Sequence, residues 1–180
     1  MLTGRKGVTY MKLLTLFCSF FILASCGYTI VGKKGIYQGE VVSLYVPVFK
    51  NQSLEPQVSQ FFTESFTMEL VLSGLFDVNK ENAPNTLRGT IATVKAIPSA
   101  FNQNGLALQK TVYVTLNLAL LRKDGRSMKS WSLADLEPYD VSDINLEDPN
   151  EREALKRIAG RMSRRFSALV LADIDRKAPQ

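Results

Sequence analysis

One stretch constrains this chain more than any other. Between Thr111 and Leu121, the residues Val112, Val114, Leu116, Leu118 and Leu120 recur at every second position. Successive side chains of a strand point to opposite faces, so a period of two places all five on one side of an extended segment. An apolar face of that length needs a second layer to cover it. Asp124-Gly125 follows as a hairpin signal, which predicts a partner strand over 126–136 carrying Met128, Trp131 and Leu133. Upstream, 86–97 (TLRGTIATVKAI) is rich in β-branched residues and reads as a further strand. Gly89 is its expected bulge and Pro98 its expected end. Asn104-Gly105 marks the turn between these two strands.

The covering layer is legible at two other periods. Val58, Phe61, Phe62, Phe66, Leu70 and Val71 recur at spacings of three and four, the pattern of an amphipathic helix running to Ser73. Pro56 suits its first position, with Glu55 or Ser53 near the cap, and Gly74 suits the left-handed residue that closes it. The phenylalanine stripe is expected in the core. A second, longer helix is predicted from Asp148-Pro149 to about Asp173–Asp175, with Glu151 and Glu153 favourable near its N-terminus. Leu155, Ile158, Ala159, Met162, Phe166, Leu169 and Val170 form its apolar stripe. Arg157, Arg161, Arg164 and Arg165 are expected on its exposed side.

The remaining segments are shorter. Within 41–49 (VVSLYVPVF), Val42, Leu44, Val46 and Val48 alternate, and Pro47 predicts either an edge strand or the strand's end. Lys50–Ser53 reads as a turn, Phe76–Lys80 as a short strand, Asn82–Asn85 as a turn and 137–147 (EPYDVSDINLE) as an acidic loop. Together these predict an α+β fold. It is a two-layer sandwich with two helices packed on one face of a mostly antiparallel sheet of four to five strands.

The N-terminal region carries the targeting signal. Residues 13–24 (LLTLFCSFFILA) form a short apolar run after Lys12, with Arg5 and Lys6 further back. The run falls well short of the roughly 20 residues that span a bilayer, and a basic start before it is the signal-peptide pattern. Met11 begins a complete leader by itself, so the start is either Met1 or Met11. Leu23-Ala24-Ser25-Cys26 then offers small residues beside a cleavage point. It resembles a lipobox, which implies acylation of Cys26. A secreted protein with a chance cysteine, or a single N-terminal anchor, is the plainer alternative. The expected organisation is a signal peptide over 1–25 and a lipidated N-terminus and linker over 26–40. One domain over 41–176 and a polar tail over 177–180 complete it.

Charge and cysteine use then exclude several functions. The formal charge of +5 includes Arg5, Lys6 and Lys12 of the leader, so the remainder holds 19 basic against 17 acidic side chains. That balance supplies no field for nucleic acid. Cys18 leaves with the leader and Cys26 takes the lipid, so no disulfide is expected. The chain has no histidine, which excludes His-based acid–base catalysis, the serine triad and His-containing zinc sites. No phosphate-binding glycine loop or Cys-x-x-Cys occurs, so neither cofactor nor enzymatic activity is predicted. The acidic residues of 135–153 lack the ligand spacing of a calcium loop. The candidate contacts for an anionic lipid or a partner are Lys95, Lys110, Arg157, Arg161 and Arg164. A solvated charged face is the ordinary reading of the same residues.

Several short segments, in order, resemble the LPS-assembly lipoprotein family, LptE. They are Cys26-Gly27-Tyr28, Val46-Pro47-Val48-Phe49-Lys50-Asn51, Glu55-Pro56 and Glu69-Leu70-Val71-Leu72-Ser73-Gly74. Leu87-Arg88-Gly89-Thr90-Ile91, Tyr113-Val114-Thr115-Leu116 and Glu151-Arg152-Glu153-Ala154-Leu155 continue the series. The resemblance covers nearly all of the chain after Cys26. It implies a lipid-anchored domain at the cell outer membrane, facing the periplasm. It also implies that the domain plugs and helps assemble an LptD-type β-barrel, with lipopolysaccharide as a possible ligand. The chain departs from the family in its loops: 100–110 (AFNQNGLALQK) holds only Lys110, and the loop before the last helix is acidic. No lipopolysaccharide contact carries over by residue. An alternative reading is a lipoprotein of the curli-secretion or penicillin-binding-protein-activator kind, which also places a strand like SLYVPVFKN near the mature start.

Overall fold

The computed structural model of this chain describes residues 43–78 and 83–177. The leader, Cys26, the linker, the first residues of the 41–49 segment, Asn82 and the tail after Lys177 lie outside the described residues.

Three long strands make the body of the sheet. They are β4 (Asn85–Phe101), β5 (Ala107–Arg122) and β6 (Ser127–Asp140), paired antiparallel in sequence order. Both predicted turns form. Gly105 and Gly125 take φ of 77° and 80°, and their N–H groups donate to Asn102 O and Arg122 O. The predicted face of β5 is buried throughout, from Val112 to Leu120.

The other edge is built from β1 (Ser43–Tyr45), β2 (Lys50–Asn51) and β3 (Asp77–Val78), all pairing parallel. The order is β3-β1-β4-β5-β6, with β2 also on β4, so the sheet is mixed and holds six strands. The first strand ends before Pro47, as its missing donor requires. Past that point the alternation slips by one. Val48 is 74% exposed and Phe49 is 1% exposed, so Phe49 enters the core in place of Val48. Lys50 and Asn51, expected in a turn, instead pair with Thr90 and Ile91.

β4 corrects two expectations. Its bulge falls at Ala92, where the register steps from Ile91 opposite Leu116 to Thr93 opposite Thr115. Gly89 has a different task. A Cβ there would lie 2.4 Å from the Phe49 ring, so only glycine lets that ring lie flat on the strand. Pro98 does not end the strand. β4 has β2 beside it only at Thr90 and Ile91, and a second register shift follows Pro98, so the lost donor is absorbed at a one-sided, irregular stretch. β6 likewise runs on through 137–140, and Glu137 and Tyr139 belong to a strand, not to an acidic loop.

Two helices, α1 (Val58–Ser73) and α2 (Glu147–Lys177), cover one face. Gly74 closes α1 in the left-handed conformation. Its N-cap is Gln57, at φ 60°, in place of Glu55 or Ser53, and no side chain caps it. Phe62, Phe66 and Leu70 are buried, while Val71 faces solvent. Glu147 and Asp148 occupy the first turn of α2, ahead of the expected Glu151 and Glu153. The two helices run parallel: Phe61 meets Lys156 at one end, and the Phe66 and Phe166 rings lie 5.7 Å apart further along. Phe49, Phe66, Phe166 and Trp131 form one aromatic chain between the layers.

Candidate functional site

The helices bury one face of the sheet and leave the other open. The open face displays rungs of small and polar residues, among them Thr90, Asn117 and Ser132, which align across β4, β5 and β6. Ser132 Oγ donates to Asn117 Oδ1 at 2.9 Å. Towards the β4–β5 turn the same face becomes apolar, with Ile97, Tyr113 and Leu136 exposed, and Phe101, Leu106 and Leu108 exposed at the tip. Lys95 stands on this face, on the Tyr113–Leu136 rung. Asn102 shapes the tip. Its Oδ1 accepts from the N–H groups of Asn104 and Leu106.

The other candidate cations are not gathered with Lys95. Lys110 is ion-paired with Glu147 at the start of α2. Arg157 Nε donates to Glu137 Oε1 at 2.7 Å. Arg161 is half-buried, bonding Asp135 Oδ2 at 2.8 Å, Glu137 Oε2 at 2.6 Å and the Leu136 carbonyl at 2.8 Å. Burial alone would raise the Glu137 pKa, but the hydrogen bonds and charges of Arg157 and Arg161 outweigh it and hold the carboxyl below its ordinary value. The bond to Asp135, then that to Glu137, keeps Arg161 above its ordinary value despite burial. Arg157 and Arg161 therefore lock α2 onto β6. Arg164 remains exposed on α2.

A set of cations outside the sequence-based candidates is uncommitted. Arg88, Arg122 and Lys123 line a shallow recess of about 400 Å³ at the β5–β6 turn and have no ion pair among the described residues. Their signal was the string Arg122-Lys123-Asp124-Gly125-Arg126, which reads as an ordinary polar turn. The opposite end of the molecule is acidic. Glu55, Asp148 and Glu151 surround a second recess with Arg152. Burial, then the charges of Glu151 and Asp148, raises the Glu55 pKa, and Arg152 partly opposes the shift. Burial and the charges of Glu151, Glu147 and Glu55 push the Tyr139 hydroxyl upward as well.

Among the described residues, no group of carboxylates is arranged to hold a metal ion, and no helix is long and apolar enough to cross a membrane. The surfaces available are thus a polar-to-apolar sheet face and two ends of opposite charge, which suit binding.

A family model described as lipopolysaccharide-assembly, LptE, matches residues 41–168. The chain belongs to the LptE family. Membership gives it a part in lipopolysaccharide assembly, in a family of assembly lipoproteins and not of enzymes. The match takes in every strand and most of α2, so the open sheet face and the Arg161 network lie inside the family domain. No curated protein matches by sequence. Solved structures match by shape. A candidate lipoprotein from Caulobacter crescentus is 13% identical, with a TM-score of 0.52, covering 74% of this chain and 94% of its own. Rare lipoprotein B from Shewanella oneidensis is 13% identical, with a TM-score of 0.45 over 74% and 93%. Lipoprotein GNA1162 from Neisseria meningitidis is 14% identical, with a TM-score of 0.45 over 66% and 98%. The Caulobacter structure shares the LptE-type fold described above.

Proposed function

We propose that this LptE-family chain is an outer-membrane lipoprotein, acylated at Cys26, that plugs an LptD-type β-barrel and helps it assemble for lipopolysaccharide transport. The observation that carries the reading is the open face of the β4–β6 sheet. Its Thr90, Asn117 and Ser132 rung and its neighbouring small residues leave three long strands uncovered. A surface of that composition tolerates the polar interior of a large barrel, where an apolar face would not. Ile97, Tyr113 and Leu136 provide an apolar anchor beyond the polar rungs. The domain stands on its hydrophobic core without a disulfide, and the lipid on Cys26 holds it at the periplasmic side of the membrane. Lipopolysaccharide itself is a ligand of Lys95 or Arg164 in this reading, since Lys110, Arg157 and Arg161 are engaged in ion pairs.

The test is co-purification. A tagged chain brings down an outer-membrane β-barrel, and its depletion reduces surface lipopolysaccharide. Intact surface lipopolysaccharide after depletion, with no barrel in the eluate, would sink the proposal. The anchor is tested separately: Cys26→Ala abolishes palmitate labelling, and persistent labelling refutes acylation at that residue.

A further inference from the structure

We propose that the end of the domain where the chain arrives from Cys26 is a docking face for the anionic phospholipid surface that holds the anchor. This inference rests on the lipid-anchor reading above.

The topology defines that end. Ser43 opens β1, and Leu44 pairs with Asn85 at the start of β4, while Asn85 pairs with Arg122 at the end of β5. The β5–β6 turn lies at the same end. So do the last turns of both helices, since Lys129 of β6 is ion-paired with Asp173 and the helices are parallel. Arg88, Arg122 and Lys123 project there without ion pairs among the described residues, and Arg126 meets only Asp124, at 3.6 Å. Met68, Val71 and Leu72 of α1 are exposed close to its C-terminus, at 61%, 55% and 74%. Cations and exposed apolar side chains at one end are what an interfacial surface requires: charge for the headgroups and short apolar contacts beneath them.

Charge complementarity gives the orientation. The far end concentrates Glu55, Asp140, Glu147, Asp148 and Glu151. The near end also holds Glu69, Asp77, Asp124 and Asp173, of which Asp124 and Asp173 are paired with Arg126 and Lys129. Its surplus is carried by Arg88, Arg122 and Lys123, and a negative leaflet favours that end over the far one. Each basic residue close to such a surface is worth on the order of fivefold in partitioning, an effect confined to about a Debye length of 8–10 Å. The chain length matters for that reason. The 16 residues from Gly27 to Val42 span at most about 55 Å when fully extended. Such a tether holds the domain at a high effective concentration above the leaflet, so a modest attraction is enough to orient it.

The experiment uses the acylated mature protein, carrying one fluorophore at Ser127→Cys in the basic turn or at Asn104→Cys in the far turn. It is reconstituted in vesicles of phosphatidylcholine, with or without phosphatidylglycerol, containing a headgroup quencher. The expected result is several-fold stronger quenching at 127 than at 104 when phosphatidylglycerol is present. Raised salt, or the double variant Arg122→Glu/Lys123→Glu, removes the difference, and Arg122→Gln/Lys123→Gln reduces it. Equal quenching at both positions, or no response to phosphatidylglycerol, overturns the docking face and leaves the anchor standing. Protein that washes off the vesicles overturns the anchor and the inference together. Quenching at 127 that appears only with lipopolysaccharide in place of phosphatidylglycerol assigns the recess to lipopolysaccharide and also overturns the proposal.

Discussion

The two halves of the sheet are held together by different means. β4, β5 and β6 follow one another through two tight turns, and nearly every residue has a partner across the strand. β1, β2 and β3 each contribute two or three residues and pair parallel, and α1 separates β3 from the other two in sequence. Ladders so short supply few backbone bonds. That edge is fastened instead by side chains: Leu44 and Phe49 in the core, the Phe49 ring on Gly89, and the Phe49 N–H donating to Thr63 Oγ1 at 2.9 Å. Beyond β2, Asn51 Oδ1 accepts from the Ser53 N–H and hydroxyl, and its amide donates to the Glu55 carbonyl. The lesson is that a hairpin meander carries its own register, while a parallel edge borrows it from packing.

The contrast can be broken most directly at Phe49. Phe49→Ala should cost about 3–5 kcal/mol in chemical denaturation. Hydrogen exchange should show β1 and β2 amides losing protection while the middle of β5 keeps it; uniform loss across the sheet would contradict the division. Gly89→Ala comes next, at about 1–3 kcal/mol from overpacking against the ring. Combining it with Phe49→Leu should cost less than the sum of the two single changes, and strict additivity would show that the ring and the glycine are not coupled. Asn51→Ala, which removes the loop's hydrogen bonds, should cost about 1 kcal/mol by thermal unfolding.

The smallest effects come from two carboxylates that shift in opposite directions. Glu137, on the meander, is held below its ordinary pKa, so its contribution is complete above the unfolded value and disappears as pH falls through the folded one. Glu55, beside the edge, is raised. The native state then holds its proton longer than the unfolded chain does, and stability declines as pH rises through the raised value. At neutral pH, Glu137→Gln should destabilise by ~1 kcal/mol or less and Glu55→Gln should stabilise by a few tenths, about the scale of partly exposed charges. Both differences should shrink in acid. Denaturation midpoints across a pH series check this, and equal signs for the two variants would refute the assignment.

The same contrast decides what was legible in the sequence. Five alternating residues and two Gly-containing turns disclose the meander because its pairings are local, and the helices disclose themselves by their periods. Two-residue strands such as Lys50–Asn51 have no period to read. Pro47 shifts the phase so that Phe49 takes the inward place expected of Val48. The candidate cations fail for a related reason. The arginines of α2 and the acidic residues of 135–137 are both visible in the sequence, but their mutual neutralisation is a tertiary fact. The recess formed by Arg88, Arg122 and Lys123 joins the start of one strand to the end of another, a proximity that only the β4–β5 register creates.

The bulge at Ala92 has a consequence for how this gene can change length. Before it, Leu87, Gly89 and Ile91 point inward; after it, Val94 does, so the inward positions change from odd to even. Removing Ala92 leaves every later residue on its present face, and Lys95 stays in solvent. A single deletion further along the strand, between Val94 and Pro98, reverses the faces of the residues that follow it. Codon loss should therefore be tolerated at one point of this strand and selected against on the stretch beyond it.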